Sequence, residues 1–448
     1  MAACNEAFSK LSMWCLLIVF SLLCSLCSTE RSLKMTHVLF RHGNRSPIAA
    51  YPSDPYQEDS WPQGFGQLTQ KGMRQHYELG QWFRKRYSTF LNSSYVRTEI
   101  SVRSTGYDRT IMSALSNLAG LYPPSNKQIW NQELLWQPIP VFSVPKEDDF
   151  LLSIDHTPCP RYNEILAEAA TKKNNYLSKH KSFLQSIAKY CGFDSNPVSF
   201  KNYSRVADTT FFEREDGRKL PDWATPDVIQ KLFNVINVYY TIESQMGDEF
   251  LRLGAGPILN EIVGHLKNKT AGKETTKMFM YSAHDDNVES LLASLQVFND
   301  LWPPTASCVI IELYQEDNKS FTIDVLFKNA SNKEPEKLQM PGSSGPCTLD
   351  HFYKITKHLL LSDVKAACKS KKDHGGGNFL PETWNTGWTL LAIFTVLAIL
   401  VAFVMVVSLC RNFQRSRRFQ KARQMQPINF HLLGHVGTDS EDESVFDT

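Results

Sequence analysis

The chain has 448 residues, a formal charge of +2, 42% hydrophobic residues and 21% charged ones. That length holds two or three ordinary domains, or one large one with an insertion. The composition is that of a globular protein, and without a basic excess it gives no reason to expect nucleic acid as a partner.

In chain order, the first apolar run is "LSMWCLLIVFSLLCSLC", 11–27, behind a single Lys10. It ends in small residues, with Ser25 and Cys27 ahead of Ser28, and reads as a secretory signal over residues 1–27. "KMTHVLF" (34–40) is a short apolar run, the pattern of a buried strand, and it leads into "RHGNRSP" (41–47). Residues 68–87 space Leu68, Met73, Leu79, Trp82, Phe83 and Tyr87 at helical intervals, with Thr69 as the N-cap. "EISVRS" (99–104) reads as a strand and 109–122 as the helix behind it, while from about 161 to 266 the pattern is mostly helical. Strands resume at 277–282, 308–315 and 321–328. Strand–helix units on both sides of a helical stretch predict an α/β core, a central mixed sheet flanked by helices, with an inserted, mainly helical cap.

Residues 369–387 form a stalk before "WTLLAIFTVLAILVAFVMVVSLC", 388–410, which has no charge in 23 residues. As a helix it would cover about 34 Å, enough to cross a bilayer with some tilt. Arg411, Arg415, Arg417, Arg418, Lys421 and Arg423 follow it, whereas no Lys or Arg lies between His374 and Gly387. That asymmetry predicts a single-pass type I chain with residues 28–368 lumenal or extracellular and a cytosolic tail over 411–448. The tail turns from basic to acidic, carries Ser440 and Ser444 in an acidic setting suited to phosphorylation, and has no tyrosine. Its plausible addresses are the plasma membrane, the endosome and the lysosome.

Sequons at Asn92, Asn202, Asn268 and Asn329 suit glycosylation in such a compartment. Asn44 also opens a sequon but lies inside the "RHGNRSP" stretch, and is expected to be bare. Cys4, Cys15, Cys24 and Cys27 leave with the signal and Cys410 ends the membrane helix. Cys159, Cys191, Cys308, Cys347 and Cys368 remain, an odd number, so at least one is a free thiol or pairs outside the chain.

Three segments share a position. "RHGNRSP", "RSTGYDRT" (103–110) and "AHDDN" (283–287) each follow a predicted strand. In open α/β sheets, ligands collect at the carboxyl ends of strands. Arg41, His42, Arg45, Arg103, Arg109, His284 and Asp285 would then meet in one crevice. Cations with one acid at such an edge describe a phosphate site with a proton donor.

At these residues the chain resembles the histidine acid phosphatases, branch 2 of the histidine phosphatase superfamily, and within them the vertebrate enzymes. The likeness covers about residues 34–368, with "WPQGFGQLTQKGMRQHYELG" (61–80) and "MYSAHDDN" (280–287) also matching in order. It implies an α/β core with a helical cap, no metal or other cofactor, a phosphate monoester as substrate, and a homodimer. It implies His42 as nucleophile, Asp285 as proton donor, and Arg41, Arg45, Arg109 and His284 as phosphate contacts. Chemistry agrees: a neutral imidazole among guanidiniums keeps its lone pair, and guanidiniums clamp phosphoryl oxygens. Arg103 is placed one layer out, orienting Asp285 or the loop. Asn44, at the variable position of the motif, would tune specificity from the leaving-group side.

The resemblance also implies a Cys159–Cys368 disulfide, closing a loop of roughly 210 residues with a stabilisation of about 5 kcal/mol. Cys308 and Cys347 lack the partners that relatives carry, and Cys191 has no counterpart, so one rewired bridge among these three is expected. His37 reads as a core histidine, and His76 and His156 as surface residues or supports of the site. His431 and His435 are spaced for a metal but have no acidic third ligand nearby, so no metal is assigned to them. The rival to an enzyme is a catalytically silent membrane receptor that keeps the fold and binds phosphorylated ligands.

Overall fold

Strand β1, Ser32–Arg41, is buried from Met35 onward because both of its faces are covered. Met35 and Leu39 point into one core layer, Val38 and Phe40 into the other. A strand flanked on both faces reads as a continuous apolar run, which is why "KMTHVLF" shows no alternation. The computed structural model describes residues 31–193, 199–370, 394–409 and 411. The expected signal (1–27), the stalk and most of the tail lie outside these residues.

Six further strands complete a mixed sheet: β2 (Ile100–Ser104), β3 (Met278–Ala283), β4 (Cys308–Gln315), β5 (Phe321–Lys328), β6 (Glu336–Leu338) and β7 (Cys347–Thr348). The order is β2-β3-β1-β4-β5-β6, with β7 also on β5. β1, β2 and β3 run parallel, whereas β4 is antiparallel to β1. The carboxyl ends of the three parallel strands therefore share one edge, and that edge carries all three expected motifs.

One sheet face is covered by α1 (Gln70–Arg86) and α2 (Asp108–Leu121), through Leu79, Phe83, Ala114 and Leu118. Thr69 caps α1 as expected, its side chain accepting from the Gly72 amide at 3.2 Å; such a cap is worth about 1 kcal/mol. Four helices make a cap with its own core: α3 (Pro160–Ser178), α4 (Lys181–Tyr190), α5 (Phe200–Glu215) and α6 (Pro226–Ser244). Leu184, Ile187, Val206, Leu232 and Val235 fill it. α7 (Asp248–Gly254) and α8 (Gly256–Thr270) pack instead on the second sheet face, Leu259 and Ile262 sharing a layer with Met35 and Leu39. The helical stretch read from the sequence as one piece is thus divided by the layer each helix covers. α9 (Asp285–Ser294) and α10 (Leu349–Thr356) join that same layer.

The cap is tied to the loop before α1 and to the first turn of α1. Arg218 donates to the Ser60 carbonyl at 2.9 Å and stacks 3.7 Å above Trp61, and Lys71 pairs with Glu215 at 2.6 Å. Beside them the buried Glu213 carboxyl lies near Asp54, and burial and that neighbour push its pKa up to about 9. Cys159 and Cys368 form the expected disulfide. Cys191, Cys308 and Cys347 are separate buried thiols, so the rewired bridge does not form. They are spread over the cap, β4 and β7, and burial pushes the Cys191 and Cys308 thiols up to about 12.

The chain forms two units, Met1–His374 and Gly375–Thr448. In the second, the described residues give a helix over 394–409 with Phe394, Leu397, Leu400, Phe403 and Val404 exposed. Of the expected membrane helix, residues 388–393 and 410 lie outside the described ones, and no described helix is long and apolar enough to cross a membrane.

Candidate active site

The strand edge is stitched together before any side chain is placed. The His42 amide donates to the Ala283 carbonyl at 3.0 Å, joining the end of β1 to the end of β3, and Ala306 donates back to the His42 carbonyl at 3.1 Å. Gly43 then passes so close to α1 that a Cβ there would lie 2.4 Å from the Gly72 carbonyl oxygen. This contact sets the turn that aims His42 along the edge.

His42 is buried, and its Nδ1 lies 2.8 Å from the Gly43 carbonyl oxygen. A carbonyl only accepts, so Nδ1 carries the proton and Nε2 keeps the lone pair. Burial first, then the Arg109, Arg41 and Arg45 guanidiniums, holds this imidazole well below its usual pKa and therefore neutral.

Three arginines surround it. Arg41 is fully buried, donates to the Pro303 carbonyl at 2.5 Å, and lies 2.9 Å from Asp285 and 4.6 Å from the Trp302 ring centre. Arg45 is held by a two-point bond to Asp208, at 2.7 and 3.1 Å, and packs 4.1 Å over Phe212. Arg109, from the first turn of α2, lies 4.4 Å over the Tyr107 ring and 3.4 Å from His284 Nδ1. The buried Nε donors of all three have no partner among the described residues. Like charges held this close, with donors left over, call for an anion.

His284 precedes α9 and Asp285 opens it. Arg109 can only donate, so His284 Nδ1 accepts and Nε2–H donates to Thr105 Oγ1 at 3.0 Å. Asp285 Oδ2 receives the Trp302 indole N–H at 2.6 Å. Burial alone would raise the Asp285 carboxyl; Arg41, this indole bond and Arg45 outweigh it and hold Asp285 below the usual carboxylate range. The adjacent Asp286 goes the other way, pushed up by burial and by Asp155 and Asp285. His42, Arg45, Arg109, His284, Asp285 and Asp286, together with Tyr107, line a cavity of about 500 Å³.

Six expected residues, Arg41, His42, Arg45, Arg109, His284 and Asp285, meet at this edge. Arg103 does not reach Asp285: it pairs at 2.7 Å with buried Asp149, whose carboxylate also accepts the Leu152 amide. It orients the loop that carries Asp155 and His156, because it sits on β2, beyond β3 from the cage. Asn44 does not face the leaving-group side. It is fully buried, with Oδ1 accepting from Thr69 Oγ1 at 2.6 Å, which also leaves no room for a glycan. His37 is a core histidine stacked on Phe279, as expected. His76 is no surface residue: it is fully buried and its Nε2 donates to the Arg41 carbonyl at 3.1 Å. His156 is hydrogen-bonded to Tyr107 and lines the cavity. Sequence reasoning missed Asp208 and Trp302, which arrive from the cap and from a loop without a local signature, and assigned nothing to Tyr107, which lies inside "RSTGYDRT". Among the described residues no cluster of His, Cys, Asp or Glu is placed to hold a metal ion.

The sequence profile described as "Histidine phosphatase superfamily (branch 2)" matches residues 32–328. Human prostatic acid phosphatase is 42% identical over 354 residues, 77% of this chain and 90% of that protein. Human lysosomal acid phosphatase is 40% identical over 373 residues, 82% of this chain and 88% of that protein. Among solved structures, the apo form of Hafnia alvei phytase superposes with a TM-score of 0.59 at 15% identity, covering 76% of this chain and 98% of that one. At that identity the likeness concerns the fold alone.

Proposed function

This chain belongs to the histidine phosphatase superfamily, branch 2, and from that premise we propose that His42 carries the phosphoryl group and Asp285 the proton. The protein is an acid phosphatase that hydrolyses phosphate monoesters. One observation supports the residue roles above the rest. Gly43 fixes the proton of His42 on Nδ1, which leaves Nε2 as a free lone pair inside a ring of guanidiniums.

In this reading the ester phosphate takes the donors of Arg41, Arg45 and Arg109. His42 Nε2 attacks phosphorus as the bond to the leaving oxygen breaks, and that oxygen takes a proton from Asp285. The arginines hold the charge spread over the three equatorial oxygens. Water then attacks the phosphohistidine, Asp285 accepts its proton, and phosphate leaves. Asp285 is ionised at rest because Arg41 neutralises it. A phosphate that competes for Arg41 raises the Asp285 pKa, so the acid is charged with its proton as substrate binds. His284 first props Arg109. When phosphate draws Arg109 away, His284 Nδ1 is released to take a proton and donate.

The test is trapping of labelled phosphate with an alkaline quench, under which a P–N bond survives. Label is expected on the parent and none on His42→Ala, with turnover of p-nitrophenyl phosphate at pH 5 down about 10⁴-fold. A His42→Ala protein within tenfold of the parent would overturn the assignment. A silent receptor would need the arginines but not an imidazole with its lone pair set free.

The same proposal includes a type I topology: signal 1–27, phosphatase domain 28–368 lumenal or extracellular, membrane helix 388–410 and cytosolic tail. Apolar side chains bared around the helix over 394–409 have no stable place in water. Exposed Asn92, Asn268 and Asn329, with half-buried Asn202, are the glycan sites. Protease added to sealed microsomes should remove the tail and leave the glycosylated domain protected.

A further inference from the structure

Next to the phosphate cage lies a second cavity of about 390 Å³ that shares Arg45, Asp285, Ile48, Tyr239 and Tyr240 with it. Its walls are apolar and largely aromatic: Ile48, Phe200, Tyr239, Tyr240 and Trp302. Phe200 stacks on Tyr239 with centres 5.0 Å apart, and Tyr239 meets Tyr240 edge-on at 5.1 Å, a corner that accepts a flat ring. A leaving group attached to phosphorus in the cage has this space in front of it.

The cavity is not purely apolar. Lys201 and Arg205 also line it, one turn apart on α5, and Asp208 follows on the same face. Asp208 is taken up by Arg45. Among the described residues neither Lys201 nor Arg205 makes an ion pair. A lone exposed lysine is an ordinary solvated residue. Two unpaired cations that share an aromatic cavity with a phosphate clamp are a charge pattern, and they lie roughly 10 and 5 Å along the helix axis from Asp208. That span matches one aromatic ring with a substituent at its far end.

We propose that this cavity receives the leaving group, and that Lys201 and Arg205 select aryl monophosphates whose ring carries a second anion. The inference rests on the reading of His42 and its arginines as the phosphoryl-transfer site.

Three substrates test it: phenyl phosphate, 4-(2-carboxyethyl)phenyl phosphate and 4-(2-aminoethyl)phenyl phosphate. The two-carbon spacer keeps the leaving oxygens alike, so differences report the far end of the ring. At low salt the parent should prefer the carboxylate to the ammonium by about tenfold in kcat/KM, expressed mainly in KM. Added salt should shrink that ratio, since Lys201 is exposed and Arg205 only half-buried. In Lys201→Ser/Arg205→Ser the ratio should fall to about one, and in Lys201→Glu/Arg205→Glu it should invert. A parent that turns over all three with equal efficiency overturns this inference and leaves the cage reading intact. So does a preference that survives in the serine variant. A parent inactive on all three brings down the cage reading itself.

Discussion

Two places in this protein treat their buried carboxyl groups in opposite ways. In the cage, Asp285 sits against Arg41 at 2.9 Å and the Trp302 indole at 2.6 Å. Where the cap meets the loop before α1, Glu213 and Asp54 face one another, with Arg218 a weaker influence. Asp285 is held below the ordinary carboxylate range, whereas burial and Asp54 push Glu213 up to about 9. The loss of hydration is common to both. What differs is the neighbour: a buried carboxyl keeps its charge when a cation replaces water, and keeps its proton when the nearest polar group is another carboxyl.

The signs set what pH does to each place. Asp285 has a depressed pKa, so its stabilising contribution is present above the ordinary value of about 4 and is lost only as pH falls through the lower, folded value. The cage therefore keeps its ion pair in moderately acid solution. Glu213 has a raised pKa, so its contribution is full below about 4.5 and is lost as pH climbs toward 9. Acid holds the cap onto the loop while leaving the Asp285 carboxylate ionised against Arg41.

The comparison can be broken most severely at Asp285. Asp285→Asn should slow alkyl phosphates by about 10²- to 10⁴-fold, and p-nitrophenyl phosphate less, since nitrophenolate leaves without a proton. A burst of nitrophenol followed by a slow steady state would mark the phosphohistidine waiting for its base. Equal losses on both esters would refute the donor role.

At the other place, Glu213→Gln supplies an amide N–H to Asp54 at every pH. Thermal unfolding followed from pH 4.5 to 9 should fall with rising pH in the parent and stay flatter in the variant. The gain at the alkaline end should be about 1–3 kcal/mol. Parallel curves would mean that the carboxyl pair does not share a proton. The smallest effect sharpens the cage. Trp302→Phe removes one hydrogen bond to Asp285 Oδ2, so its pKa rises and the alkaline limb of kcat for an alkyl ester moves up by about one pH unit or less. A limb that moves down would place the indole in a different role.

The sheet strands were legible because buried β1 and β3 are short apolar runs with their motifs directly behind them. The cap's extent was less so. Residues 161–266 are mostly helical in pattern, and only packing separates α6, inside the cap, from α8, on the sheet. Arg103 shows the same limit at the site. Its place one layer out was legible, but the choice between Asp285 and the loop was not, and the structure gives it Asp149.

By itself the sequence determined the chemistry of the edge, because Arg41, His42 and Arg45 lie within five residues, His284 and Asp285 are adjacent, and short strand-to-loop segments carry their geometry with them. Only the tertiary structure decided which partner each charge would meet. Asp208 under Arg45, Trp302 on Asp285 and Asp54 against Glu213 come from segments far apart in the chain. A protonation state depends on distance in space, and no local spacing encodes it.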